Sequence, residues 1–155
     1  MATKQEWGNA CWYLFHSLSF KLKDGQDHII IELIALCRNI ALILPCPDCS
    51  EHAKQTFALA DRSGVRVADR AGFQRFWWQF HNLVNARLKK PSITFEDAQD
   101  KYSKSRLFNI VKHFMNIFGR NVPGERSMMY TMSRRNAIKK MYDFIKANQV
   151  SFELN

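Results

Sequence analysis

The sequence predicts an all-α protein, a helical box built around a Cys-x-x-Cys pair. Three observations carry this reading. Apolar residues recur at three- and four-residue intervals along most of the chain. Helix-start and helix-stop residues separate those periodic stretches. No run shows the apolar–polar alternation of a half-buried strand. With 155 residues, 46% hydrophobic and 13% aromatic, the chain is long and apolar enough for one domain with a core, which excludes whole-chain disorder.

The first helix runs from about Gln5 to about Leu22, with Trp7, Cys11, Tyr13, Leu14, Leu18 and Leu22 mostly at helical spacing. Lys23 to Asp27 is a turn by composition. The second helix, about His28 to Ile43, is apolar nearly all round, so it belongs at the centre of the bundle. Pro45 cannot continue a helix and disfavours helical backbone at Leu44. Pro47 suits the first position of a third helix, which reaches about Ala60. A polar loop over residues 61–70 leads to a fourth, about Ala71 to Lys89, rich in Phe73, Phe76, Trp77, Trp78 and Phe80 and stopped by Pro91. Ser92 or Thr94 caps a fifth helix, with Glu96 and Asp97 in its first turn. That helix continues, with or without a break, to Phe118. Gly119 to Gly124, with Pro123, reads as a linker to a sixth helix, about Ser127 to Ala147. Gln149–Asn155 is expected to be loose.

Cys46 and Cys49 lie at the junction of the second and third helices, within one turn of each other. Cys46 falls at or next to the N-cap, where unpaired N–H groups and the positive dipole end favour a thiolate. Such a pair is a good thiol–disulfide exchanger. It is equally half a zinc site, since Cys46, Cys49 and His52 supply three ligands, and the motif alone does not separate the two. The missing strands exclude a thioredoxin-type βαβ setting. Four cysteines without a secretory signal suggest a reducing, cytoplasmic compartment. No stretch reaches the roughly 20 apolar residues that span a bilayer.

Two helix faces add to the pair. Gly8, Trp12 and His16 follow at i, i+4 and i+8, combining a small residue that allows close approach with an aromatic plate. His81, Asn85 and Leu88 share a face of the fourth helix, one turn after Trp77 and Trp78. Aromatic stripes are ordinarily core, and a lone helical His is ordinarily a satisfied core group. Here two such faces accompany a Cys-x-x-Cys in one small domain. A flat heterocycle with hydrogen-bonding edges would give His16, His81 and Asn85 a reason to be buried. Lys89 and Lys90 could meet a phosphate. Charge is uneven: residues 1–100 hold 12 Lys and Arg against 11 Asp and Glu, whereas residues 101–155 hold 11 against 3. The basic last third invites nucleic acid or an acidic partner, although no nucleic-acid motif accompanies it.

Taken in order, these motifs resemble the FAD-dependent sulfhydryl oxidases of the Erv and augmenter-of-liver-regeneration family. Gly-x3-Trp-x3-His is Gly8, Trp12 and His16. Pro-Cys-x-x-Cys is Pro45, Cys46 and Cys49. His-Asn-x-Val-Asn-x-x-Leu-x-Lys-Pro is His81, Asn82, Val84, Asn85, Leu88, Lys90 and Pro91. The compact size and the Phe-Trp-Trp-Gln-Phe-His-Asn run look most like the forms encoded by large cytoplasmic DNA viruses. The resemblance implies a four-helix bundle with an additional short helix, residues 1–102 being the FAD-binding core and residues 103–155 a basic helical extension. It implies FAD held between helices, Cys49 as the flavin-proximal cysteine and Cys46 as the interchange cysteine. Gly8, Trp12, His16, Trp78, His81, Asn82, Val84, Asn85 and Leu88 would line the FAD site, and Lys90, Lys101 and Tyr102 would reach its phosphates or adenine edge. It further implies dithiol protein substrates or a thiol-carrier protein, O2 as acceptor, hydrogen peroxide as product, a homodimer, and a host-cytoplasm, virus-factory or virion location.

The chain departs from the family in two places. Trp78 and Phe95 stand where many members carry a structural disulfide, so an aromatic contact would replace the covalent link. No second, shuttle Cys-x-x-Cys is present, and Cys11 and Cys37 read as small buried hydrophobes. The competing readings are a zinc-stabilised helical interaction module and a nucleic-acid-binding protein using residues 101–155.

Overall fold

The computed structural model describes residues 2–120 and 125–155, with backbone only over 125–128. Seven α-helices follow one another: α1 (Lys4–Phe20), α2 (Ile30–Ala41), α3 (Pro47–Arg62), α4 (Arg70–Arg87), α5 (Phe95–Ser103), α6 (Leu107–Phe118) and α7 (Glu125–Ala147). Short 3-10 turns sit at Asp27–Ile29 and Gln149–Ser151. Several helix starts have a local cause. Thr3 and Glu6 form a reciprocal capping box on α1. Asp69 accepts the N–H of Gly72 on α4, and Thr94, one of the two expected caps, accepts that of Asp97 on α5.

The expected fifth helix is two. Ser105 breaks it: its hydroxyl and its N–H both donate to the Tyr102 carbonyl, at 2.7 and 3.2 Å. Ser17 of α1 lies 2.7 Å from that hydroxyl and fixes the break against the first helix. Competition of this kind between a serine side chain and the helix ladder is local and strong.

The centre of the bundle is α1, not α2. α1 packs against α4, α5 and α6, and every residue from Leu14 to Phe20 is buried. α2 buries the stripe Ile30, Leu33, Cys37 and Ile40 against α3 and α7, while Ile31 is 78% exposed. Composition made α2 look central, but spacing decides. Its exposed face also carries Glu32, and Arg38 pairs with Asp61 of α3 at 3.0 Å. One apolar cluster joins Leu14 and Leu18, Leu33, Phe57, Trp77, Leu107, Phe114, Met141 and Phe152, and it continues across residue 102 into α6 and α7. A smaller cluster holds Phe20, Ala98 and Tyr102 with Tyr13, Trp78, Ile93 and Phe95 around them.

The C-terminal segment is docked rather than loose. Leu22 and Phe152 form an antiparallel bridge. Lys23 N–H donates to the Ser151 carbonyl at 2.9 Å, and Glu153 N–H to that of Lys21 at 2.7 Å. These bonds satisfy backbone groups left free beyond the end of α1. The buried Lys21 ammonium donates to the carbonyls of Ser103 and Asn155, at 2.9 and 2.7 Å. Of the expected linker, Gly119 caps α6 and residues 121–124 lie outside the described residues. No helix among the described residues is long and apolar enough to cross a membrane.

Phe152 is 1% exposed, so Phe152→Ala removes a full core side chain. It should cost about 3 kcal/mol and lower the urea midpoint markedly. An unchanged midpoint would mean that the docked tail contributes nothing.

Candidate active site

The site begins with the start of α3. Cys46 has extended backbone (φ −130°, ψ 104°), Pro47 takes the first helical position, and Cys46 Sγ accepts the Cys49 N–H at 3.2 Å. The cysteine is thus its own helix cap. Leu44 N–H donates to Ser50 Oγ at 2.9 Å and holds the approach to the turn. Cys46 and Cys49 are joined as a disulfide, with Cα atoms 5.2 Å apart. No group of three or more His, Cys, Asp or Glu among the described residues is disposed to hold a metal ion.

The two cysteines border different cavities, which share Lys4 and Trp7 in their walls. Cys49 lines the larger, of about 830 Å3, together with Gly8, Trp12, His81, Val84, Asn85, Leu88, Lys90, Lys101 and Tyr102. Cys46 lines the smaller, of about 320 Å3. Two features of the large cavity call for an occupant. Asn85 is 7% exposed and lines the cavity, where its side-chain amide makes no hydrogen bond to the described residues and is open to a ligand. A Cβ built on Gly8 would meet no protein atom within 4 Å, so the glycine leaves room in the wall and is not needed for close helix packing.

Three expected site residues lie behind the wall. His16 is fully buried, and its Nε2 is 2.9 Å from His81 Nδ1. Its other face stacks on Tyr102 at 4.3 Å, while His81 stacks on Trp12 at 3.9 Å. His16 therefore orients His81, and the two share a single proton along the short contact. Trp78 Nε1 and Asn82 Nδ2 both donate to the Ile93 carbonyl, at 2.8 and 2.9 Å, and Ile93 N–H donates back to Asn82 Oδ1 at 2.9 Å. They latch the segment after Pro91. Trp78 meets Phe95 edge to face at 5.8 Å, and Arg75 covers the same Phe95 ring at 4.3 Å.

The end of α4 brings in the cations. Lys89 is left-handed (φ 57°). Lys89 N–H reaches the Ala86 carbonyl and Lys90 N–H the Asn85 carbonyl, at 3.2 and 2.8 Å. This Schellman turn, built without the usual glycine, reverses the chain so that Lys90 lines the cavity. Lys101 Nζ lies 5.2 Å from the Tyr13 ring and 5.4 Å from that of Tyr102. Burial, then Lys101 and Lys90, hold His81 down to about 4; burial and then His81 push His16 well below its ordinary value. Burial, then Tyr13, raises Tyr102 to about 12.

Phe80, Ala98 and Cys11 also line the cavity and were not expected there. Spacing could have found two of them: Cys11 is three residues after Gly8, and Ala98 precedes Lys101 and Tyr102 by three and four. Cys11 at the cavity edge and Cys37 in the core are both buried, as expected of small hydrophobes. Burial raises the Cys11 thiol far above its ordinary range, and burial and then Cys11 do the same to Cys37.

Fold and site together define a helical bundle with a helix-capping disulfide beside an aromatic, cation-bearing cavity. The Erv1 / Alr family model matches residues 9–106, and the chain belongs to that family. A protein of Invertebrate iridescent virus 3, whose name places it with the FAD-linked sulfhydryl oxidases, is 33% identical over 62% of this chain and 65% of its own length. FAD-linked sulfhydryl oxidase ERV1 of Oryza sativa subsp. japonica is 29% identical over 66% of this chain and 52% of its own. The FAD-linked sulfhydryl oxidase of African swine fever virus (isolate Pig/Kenya/KEN-50/1950) is 29% identical over 67% and 86%. The chain thus spans 65% and 52% of the first two relatives. No solved structure matches it.

The His pair sets a pH dependence. Both rings are held neutral in the fold but take a proton near pH 6.5 in the unfolded chain. Stability is therefore complete above about pH 6.5 and falls as the pH drops toward 4, by on the order of 2 kcal/mol for His81. Urea midpoints between pH 8 and 4.5 should show this fall, and His81→Gln should flatten it. A midpoint that rises on acidification would refute a neutral pair.

Proposed function

We propose that the chain is an FAD-linked thiol oxidase that makes disulfides in dithiol protein substrates and delivers the electrons to O2. One observation carries the reading: a single disulfide has Cys49 in the wall of the large aromatic cavity and Cys46 in the wall of a separate cleft. That is the arrangement needed to take electrons on one side and release them on the other.

The fit to FAD rests on the unpartnered Asn85 amide, the room at Gly8, the Trp12–His81 stack and the cations Lys90 and Lys101. Trp12, His81 and Tyr102 would hold flat rings, Asn85 would pair with a polar ring edge, and Lys90 and Lys101 would meet the pyrophosphate. Val84 and Leu88 would supply apolar contact. His16, Trp78 and Asn82 would act one layer out, by fixing His81 and the segment at Ile93. When bound, the flavin supplies a two-electron acceptor that reoxidises the dithiol and passes the pair to dioxygen.

The chain's own residues do the sulfur chemistry. A substrate thiolate attacks Cys46 Sγ, and the Cys46–Cys49 bond breaks with the electron pair leaving on Cys49. A second substrate thiolate resolves the mixed disulfide and frees Cys46. In sum, two thiols and one O2 give one disulfide and one hydrogen peroxide. The helix start stabilises the departing thiolate. In this reading residues 1–102 carry the oxidase and 103–155 complete its core and surface, and the protein works as a homodimer in host cytoplasm, virus factory or virion.

Purified protein should be yellow, should bleach under dithiothreitol without oxygen and should recover in air. Cys49→Ser and Cys46→Ser should each abolish turnover with flavin retained, and His81→Ala should lose flavin. A colourless folded protein, or parent-level turnover in either cysteine variant, would overturn the proposal.

A further inference from the structure

The cleft beside Cys46 has a construction of its own. Its volume is about 320 Å3, and its walls are Trp7, Pro45, Ile117 and Phe118, with Lys4 and Arg120 among its borders. Trp7, Ile117 and Phe118 are 8%, 6% and 1% exposed, so the floor is firm and apolar. Lys4 and Arg120 are exposed at the rim. Glu6 also lies within electrostatic reach of Arg120, and its Oε2 accepts the Thr3 N–H at 2.7 Å, so the rim carries Lys4 and Arg120 against one carboxylate. Only Pro45 and Cys46 of this cleft lie within the family match at residues 9–106.

We infer that this cleft docks an extended, acidic dithiol segment of a substrate protein, its apolar side chains against Trp7, Ile117 and Phe118 and its carboxylates against Arg120 and Lys4. The inference rests on the oxidase reading and adds the substrate class. Charge complementarity carries it. The attacking species must be a thiolate, and carboxylates beside a cysteine keep its thiol protonated in water. Two cations at the cleft rim offset that effect where the attack occurs. They also draw an acidic chain to the cleft and repel a basic one. The exchange itself is balanced within the two partners. The substrate loses two electrons and two protons as its disulfide forms, and Cys46 and Cys49 gain the electrons as their bond breaks.

The test uses full-length protein and two reduced Cys-x-x-Cys peptides that differ only in flanking Asp or Lys. At low salt the acidic peptide should be oxidised with a kcat/KM about tenfold higher. The ratio should shrink toward one in roughly 0.5 M salt, and Arg120→Glu should reverse the preference. Flavin content and helicity of the variant establish that it is folded. Equal rates for the two peptides, or a preference untouched by salt and by Arg120→Glu, would overturn the docking proposal while dithiothreitol still bleaches the flavin. Failure of dithiothreitol to bleach it would overturn the oxidase reading, and the docking proposal with it.

Discussion

A disulfide can serve two cavities only if each of its sulfurs borders one of them, and here the first turn of α3 sets which cysteine meets which cavity. Pro45 and Pro47 end one direction of travel and begin another within three residues. Cys46 becomes the helix cap, so its sulfur is committed to the Cys49 N–H as well as to the Cys49 sulfur. Moving the helix start by one residue would rotate Cys49 by about 100° around the helix axis, out of the cavity wall.

The cavity opposite is held open by groups that cannot close it themselves. His16 and His81 lock each other, Tyr102 and Trp12 clamp the pair from either side, and Lys21 ties the ends of α1 and α5 to the docked tail. Where a covalent link would be expected between α4 and the start of α5, Trp78, Phe95 and Arg75 interlock, and Asn82 makes two bonds to Ile93. Several modest contacts take over the task of one bond, and each demands defined geometry rather than chain closure.

The motifs were legible because each is short and local. The turn at Pro45–Cys49, the face of Gly8 and Trp12, and the face of His81 and Asn85 follow from helical arithmetic alone. The division of labour among them was not. Spacing puts His16 and Trp12 on one face, but only packing decides that Trp12 borders the cavity while His16 backs His81. Asn82 and Trp78 look like ligand contacts in sequence, yet they serve a loop carbonyl at Ile93. The bundle's centre was misread because α2 is richer in apolar residues than α1. Small residues in α1, among them Ala10, Cys11, Ser17 and Ser19, let three neighbours approach it. The docked tail escaped notice because one Phe and two backbone bonds leave no periodic signature.

Cys11 and Cys37 give the arrangement a further property. A spare accessible thiol beside a disulfide can exchange with it and scramble the pair. Cys37 is buried in the core and Cys11 is buried at the edge of the large cavity, and burial raises both thiols well above their ordinary range. The fold thereby holds its two spare thiols in the protonated state while the helix-capping pair stays bonded.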